Sequence, residues 1–252
     1  MPDASPLFRD WQLATVAAIR DETPSVRTIA FSLPQWTGHL AGQHVDVRLT
    51  SDDGYQAERS YSIASPSGRI ALIEITIERI TNGEVSPFLT EQLALGDTIE
   101  LRGPLGGYFT WSPENHAPLM LIAGGSGIVP LMSMLRTRTK AVNRPPARLL
   151  YSSRQFEEII YRSELDSLVA ANDGFSIASA LTRGAPPNWN GETRRVDGEM
   201  LAKYTFPAAQ APYNFVCGPT SFVETVADRL VGLGHQESAI KTERFGPTGE
   251  TR

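Results

Sequence analysis

The hydrophobic rhythm of this chain changes once, near residue 112, and the change limits what each half can become. From Trp11 to about Ile99 apolar and polar residues alternate, as in Val45-Asp46-Val47-Arg48-Leu49 and Ile73-Glu74-Ile75-Thr76-Ile77, with Gly, Pro and Asp between the runs. A period of two sends successive side chains to opposite faces of a strand, so a series of such runs predicts an antiparallel barrel or sandwich. One helix is expected there, with Ser86 as N-cap, Pro87 in the first helical position and a stop before Gly96-Asp97. Beyond Trp111-Ser112-Pro113-Glu114-Asn115-His116, short apolar runs alternate with amphipathic stretches. Strands at 118–123, 148–151, 175–180 and 214–217, with helices at 129–140, 157–171 and 221–233, predict parallel strands joined by helical crossovers. A domain over 1–112 and a second over 117–252 follow, and 183–190, rich in Pro and small residues, reads as a surface loop.

Composition removes several function classes. The 252 residues are 41% hydrophobic and 20% charged, enough for one or two cored domains. A net charge of −5 without a basic tail argues against nonspecific binding to nucleic acid or to an anionic membrane face. No run approaches the roughly 18 apolar residues of a membrane span, and the first ten residues lack the basic and apolar regions of a secretion signal, so a soluble cytoplasmic protein is expected. Cys217 is the only cysteine. That excludes an internal disulfide and an iron–sulfur cluster, which needs about four thiolates.

Two segments have the makeup of phosphate cradles. Gly124-Gly125-Ser126-Gly127 follows an apolar strand and opens a helix, where small residues let the backbone approach a pyrophosphate and the helix start presents unpaired N–H groups. Pro130 stands where the common dinucleotide fingerprint has a third glycine, and it is compatible with a first helical turn; a purely structural turn is the other reading. The next strand ends Tyr151-Ser152-Ser153-Arg154. An acid at that place would bind ribose hydroxyls, whereas Arg154, helped by Ser153, suits a 2′-phosphate and favours NADPH over NADH. Alternatively Ser153 caps the next helix and Arg154 is a solvated charge; Arg162, nearer the helix middle, is a weaker candidate.

The first half holds Arg59-Ser60-Tyr61-Ser62 at a strand and Gly83-Glu84-Val85-Ser86 downstream. A flavin needs a cation for phosphate, a flat apolar surface for its ring and a polar group near N5, which suit Arg59, Tyr61 and Ser62. Strand alternation alone puts Arg59 and Tyr61 on one face and Ser62 on the other, so a twist at the strand end is required; an ordinary exposed strand is the alternative. Two cradles in so short a chain suggest two nucleotides, a flavin and a nicotinamide, held face to face for hydride transfer.

The order of Arg59-Ser60-Tyr61-Ser62-Ile63-Ala64-Ser65, Gly83-Glu84-Val85-Ser86, Gly125-Ser126-Gly127-Ile128-Val129-Pro130 and Cys217-Gly218-Pro219 resembles that of the ferredoxin–NADP reductase superfamily across nearly the whole chain. The resemblance implies an N-terminal antiparallel β-barrel that binds FAD and a C-terminal α/β domain with a doubly wound parallel sheet that binds NADP. It implies that Arg59 meets flavin phosphate, Tyr61 packs by the isoalloxazine and ribityl, Ser62 lies near N5, backbone around Ile77 and Arg79 meets the ring, and Gly83, Val85 and Ser86 receive the pyrophosphate. Gly125, Ser126, Gly127 and Pro130 would form the nicotinamide loop, with Ser126 reaching toward the flavin, and Cys217-Gly218-Pro219 would place Cys217 beside nicotinamide C4. As a local reading, Cys217 is equally a small buried hydrophobe.

Lys241-Thr242-Glu243-Arg244-Phe245-Gly246 resembles the segment that covers the flavin in this superfamily, with Phe245 the aromatic and Glu243 a proton or charge partner. Plant-type members end at that aromatic, whereas seven residues follow Phe245 here, and a core phenylalanine is the other reading. Similar Glu-Arg-Phe segments occur in reductases fused to a ferredoxin domain, an extension expected to be absent here. The function expected is transfer of hydride from NADPH to FAD and of electrons to a separate carrier, such as ferredoxin, flavodoxin or an oxygenase component. The alternatives are a reductase of a small acceptor (quinone, free flavin or ferric chelate) and a non-catalytic electron-transfer or NADP-sensing subunit.

Overall fold

The computed structural model describes residues 10–68 and 71–246, which belong to two compact units. One comprises the chain through Ser112 together with Met132–Thr137; the other comprises Pro113–Leu131 and the chain from Arg138 onward. Among the described residues no helix is long and apolar enough to cross a membrane.

The first unit is an antiparallel sheet of six strands: β1 (Gln12–Thr23), β2 (Val26–Ser32), β3 (His44–Thr50), β4 (Gln56–Ser62), β5 (Leu72–Glu78) and β6 (Thr98–Leu105), in the order β4-β3-β6-β1-β2-β5. The alternating residues do what their period dictates, and Ile29, Phe31, Val45, Val47, Ile73, Ile75 and Leu101 form one buried cluster. The sheet curls until its two edges meet: Ile63, just past β4, bridges Ile75 of β5, and the Ala64 amide donates to the Glu74 carbonyl at 2.7 Å. Before that bridge, β4 and β5 are not ladder partners, which leaves a seam between them.

A short helix, α1 (Val85–Pro87), continues into a π turn at Phe88–Gln92. It starts earlier than the sequence predicts, with Glu84 and not Ser86 in the capping position. The Ser86 hydroxyl has another task, accepting the Ile80 amide at 3.0 Å. Pro87 fits because the first turn of a helix needs no N–H from it. Leu93 then turns extended, at φ −66° and ψ 129°, ahead of Gly96.

The second unit is a five-stranded parallel sheet, ordered β11-β10-β7-β8-β9, made of β7 (Leu119–Gly124), β8 (Ala147–Ser153), β9 (Phe175–Leu181), β10 (Tyr213–Pro219) and β11 (Ile240–Phe245). Every residue of β7 is buried, as expected of a central strand covered on both faces. The crossovers include α2 (Ile128–Lys140), α3 (Arg162–Ala170), α4 (Gly198–Tyr204) and α5 (Thr220–Gly232). The sheet grows one way through β8 and β9, then reverses and adds β10 and β11 on the other side of β7.

Two features correct the sequence reading. The expected helix over 157–171 begins only at Arg162, because Ile159, Ile160 and Tyr161 are all buried and three consecutive inward residues cannot share one helix face. Tyr161 makes the bend in the left-handed region (φ 59°), and the Ile160 amide donates to the Tyr151 hydroxyl at 3.3 Å. Helix α4 was not anticipated; Asp197 caps it by accepting the Met200 amide at 2.9 Å.

Candidate active site

In the second unit the reversal of strand order lies between β7 and β10, and open α/β sheets bind ligands beyond the carboxyl ends of strands at such a point. Gly125, Ser126 and Gly127 form a tight 3-10 turn off the end of β7 and lead into α2. Gly125 has φ +56° and no heavy atom within 4 Å of where a Cβ would stand, so its backbone is open to an incoming phosphate. At Gly127 a Cβ would lie 2.2 Å from the Cys217 carbonyl oxygen, which makes glycine the residue that lets the loop touch the end of β10. Pro130 is the third residue of α2, where a missing N–H costs no helical bond. Gly218 and Gly124 are both close to the Phe222 ring, 2.8 and 3.0 Å from the positions their Cβ atoms would take.

Cys217 is buried at the end of β10. Burial first, and the carboxylate of Glu243 second, push its thiol well above the ordinary range, so it is a neutral thiol and not a nucleophilic thiolate. Glu243 is its register partner on β11, and Pro219 faces Phe245 two positions on. Glu243 as a whole is half-buried, yet its Oε2 is enclosed and has no hydrogen-bond partner among the described residues. The enclosed atom governs the acid: burial pushes its pKa up to about 7. The C-terminal segment is therefore an edge strand in register with β10, which its mixed polar composition had not announced. Phe245 is half-buried at the end of that strand.

At the end of β8, Ser153 is buried and Arg154 exposed. Ser153 does not cap α3, whose capping position is Tyr161. The chain after β9 continues the pairing: the Thr182 amide donates to the Ser153 carbonyl at 3.0 Å and the Arg183 amide to the Arg154 carbonyl at 2.8 Å. A second exposed cation, Arg183, thereby joins Arg154, and neither forms an ion pair among the described residues. Sequence reading missed Arg183 because it lies in what looked like loop. Arg162 instead covers the Phe156 ring at 4.4 Å, and Phe156 meets Trp189 edge-on at 5.9 Å.

In the first unit Arg59, Tyr61 and Ser62 stand on β4 at one side of the seam, and Gly83, Val85 and Ser86 follow β5 at the other. Arg59 and Tyr61 share one face of β4. Tyr61 packs against the core cluster, and burial holds its phenol at about 12. Ser62 is the last residue of β4, opposite His44, where the chain leaves to bridge β5. Arg59 is exposed and donates to the Glu58 carbonyl at 2.7 Å and to Glu84 at 3.5 Å. Across the seam the Gly83 amide closes a turn on the Ile80 carbonyl at 2.8 Å, and a Cβ on Gly83 would lie 3.0 Å from the Ser86 hydroxyl. Val85 and Ser86 are buried.

The backbone of Ile77 and Arg79 themselves faces β2, and that of their neighbours faces the seam. The Arg79 amide donates to the Ser25 carbonyl at 2.8 Å, away from the seam, and Ile77 pairs with Arg27 on the same side. Alternation along β5 turns the backbone of Thr76, Glu78 and Ile80 toward the seam, consistent with the bonds made by the Glu74 carbonyl and the Ile80 amide. The seam so built offers a cation, a packed phenol, a hydroxyl and a glycine turn, a donor set that fits a phosphate-bearing flavin; the open backbone at Gly125 fits a dinucleotide.

Residues 13–110 match the oxidoreductase FAD-binding domain and residues 121–228 the oxidoreductase NAD-binding domain. Ferredoxin–NADP reductase B of Sorangium cellulosum is 32% identical over 239 residues, covering 92% of this chain and 96% of that protein. The chain belongs to the ferredoxin–NADP reductase superfamily. It is an NAD(P)H-dependent flavoprotein oxidoreductase whose cofactors are FAD and a nicotinamide dinucleotide. The phenol hydroxylase P5 protein of Acinetobacter pittii is 28% identical over 98% of this reductase and 70% of its own length. In fold, the reductase is similar to the ferredoxin NADP+ reductase of Neisseria gonorrhoeae with bound FAD and NADP, with a TM-score of 0.76 and 23% identity over 93% of this chain and 98% of that one.

Proposed function

We propose that this reductase takes its electrons from NADPH in preference to NADH and delivers them to a separate protein carrier of the ferredoxin, flavodoxin or oxygenase-component type. The observation that carries the coenzyme choice is the pair of exposed cations Arg154 and Arg183, brought together by the amide-to-carbonyl bond of 2.8 Å, with Ser153 beside them. Guanidinium groups bind a phosphate through charge-assisted hydrogen bonds, whereas a ribose diol calls for a carboxylate. No acid occurs in the run Tyr151-Ser152-Ser153-Arg154-Gln155.

The remaining side chains divide the work. Arg59 neutralises flavin phosphate, Tyr61 supplies an apolar wall, Ser62 offers a hydroxyl near N5, and the turn from Gly83 through Val85 and Ser86 takes the pyrophosphate. Gly125, Ser126, Gly127 and Pro130 shape the nicotinamide loop, with Gly218 and Pro219 finishing the opposite strand. Cys217, held neutral, is a small uncharged neighbour for nicotinamide C4. Glu243 holds a proton up to about neutral pH, and Phe245 is the aromatic that yields to nicotinamide. When bound, the nicotinamide supplies a hydride and the flavin stores it as electrons that leave one at a time.

A separate carrier is favoured by the single cysteine, since these 252 residues cannot ligate an iron–sulfur cluster. The names of the relatives point the same way, to ferredoxin and to an oxygenase system. The test is Arg154→Ala and Arg183→Ala, assayed with both coenzymes. Loss of one charged hydrogen bond is worth about 1.5–3 kcal/mol, so NADPH kcat/KM falls about ten- to a hundredfold while NADH changes less than about twofold. Equal losses for both coenzymes would remove the argument, and carriers reduced no faster than quinones or ferric chelates would remove the partner.

A further inference from the structure

We infer that Glu84, held in place by Tyr55, is the residue that selects FAD over FMN in the flavin site. The inference rests on the reading that Arg59 receives flavin phosphate. Glu84 Oε2 accepts from Arg59 at 3.5 Å, and its other oxygen, Oε1, accepts from the Tyr55 hydroxyl at 3.0 Å. The phenol comes from the turn between β3 and β4, where the Tyr55 amide donates to Asp53 at 3.1 Å and the Tyr55 carbonyl accepts the Ser51 amide at 2.9 Å, so the residue is held at its backbone as well as at its hydroxyl. Hydrogen bonding to Glu84 raises the Tyr55 pKa and keeps it a donor. Arg59 and Glu84 are both more than half exposed (57% and 54%), so their pair is weak and an incoming phosphate displaces the carboxylate from the guanidinium readily. Tyr55 then keeps the displaced carboxylate beside the phosphate site.

The consequence depends on how charge is distributed on the ligand. Each phosphorus of the FAD diphosphate carries about one negative charge. The FMN monoester, with a second ionisation near pH 6, carries close to two on a single phosphorus at pH 7.5. A fixed carboxylate a few ångströms away therefore penalises FMN more, and one extra unit charge at that range in a water-like dielectric is worth about three- to tenfold in a binding constant. Riboflavin, which carries no phosphate, is indifferent to the carboxylate. Glu84 tunes specificity by repulsion, while Tyr55 positions it.

The experiment is equilibrium exchange of the full-length protein against equimolar FAD and FMN, and separately against riboflavin, with bound flavins quantified by chromatography after release. In 20 mM salt Glu84→Gln, which preserves shape and still accepts from Tyr55, raises the bound FMN:FAD ratio about three- to tenfold and leaves riboflavin unchanged. Tyr55→Phe shifts the ratio the same way by less. In 0.5 M salt the shift shrinks, because the screening length falls to about 4 Å, comparable with the separation of the two charges. An unchanged ratio, an equal rise for riboflavin, or a shift that high salt leaves undiminished overturns the inference. Arg59→Ala serves as the separate control: if it fails to weaken FMN and FAD relative to riboflavin, the phosphate role of Arg59 is what has failed.

Discussion

Gly127→Ala is the sharpest perturbation of the nicotinamide loop. The wild-type φ of −61° is one that alanine adopts freely, so backbone strain plays no part and only the collision matters. The new methyl would stand 2.2 Å from the Cys217 carbonyl oxygen, 2.5 Å from its carbon and 2.8 Å from the Gly218 nitrogen, all of them backbone atoms. Reaching ordinary contact at 3.4 Å requires the loop and the end of β10 to part by about 1.2 Å. Overpacking of that kind costs about 1–3 kcal/mol, and displacement of a positioning element by about an ångström costs about a hundredfold in rate. Gly125→Ala provides the contrast: its φ of +56° costs about 1–2 kcal/mol, but nothing lies within 4 Å of the added carbon. Thermal denaturation and steady-state kinetics with NADPH, measured on both variants, separate the two. Gly127→Ala lowers kcat/KM about a hundredfold with the flavin still bound, and a Gly127→Ala protein that matches wild type in Tm and kcat/KM refutes the packing argument.

Glu243 and Phe245 give two further expectations. Burial keeps the folded Glu243 carboxyl protonated to about pH 7, whereas the unfolded one ionises from 4.5 upward, so stability that is complete below pH 4.5 is lost as pH rises to 7. The loss is on the order of 3 kcal/mol; urea unfolding at pH 4.5 and 8 shows it in wild type and not in Glu243→Gln, and parallel pH profiles for the two proteins would count against the enclosed carboxyl. Phe245→Ala is expected to change nicotinamide affinity or the NADPH:NADH preference severalfold with little change in Tm. Unchanged kinetics with a Tm lower by several degrees would return Phe245 to a packing role.

Strong local signals in the sequence were realised where no distant partner had to intervene. The alternation through Val45–Leu49 and Ile73–Ile77 became barrel strands, and the apolar run ending at Gly124 became a buried parallel strand. Misreadings arose where a distant group claimed a residue. Ser86 looked like a helix cap, but the Ile80 amide takes its hydroxyl. The helix from 157 was cut short by burial of Ile159, Ile160 and Tyr161. Ser62 reaches the seam because the chain leaves β4 there to bridge β5, a closure that local alternation cannot express. Arg183 and the burial of Glu243 depend on strand neighbours dozens of residues away or on an edge strand with mixed composition.

The reversal of strand order between β7 and β10 also sets when this protein can first recognise a dinucleotide. Residues 124–127 leave the ribosome about ninety residues ahead of Cys217, yet the two are neighbours only after β10 has docked on β7. Closing that loop is a late, nonlocal event with an entropic barrier of its own. A translation intermediate ending before residue 213 would hold β7, β8 and β9 with the glycine turn in place, but would lack the strand against which Gly127 rests, so coenzyme capture becomes a marker that synthesis has passed β10.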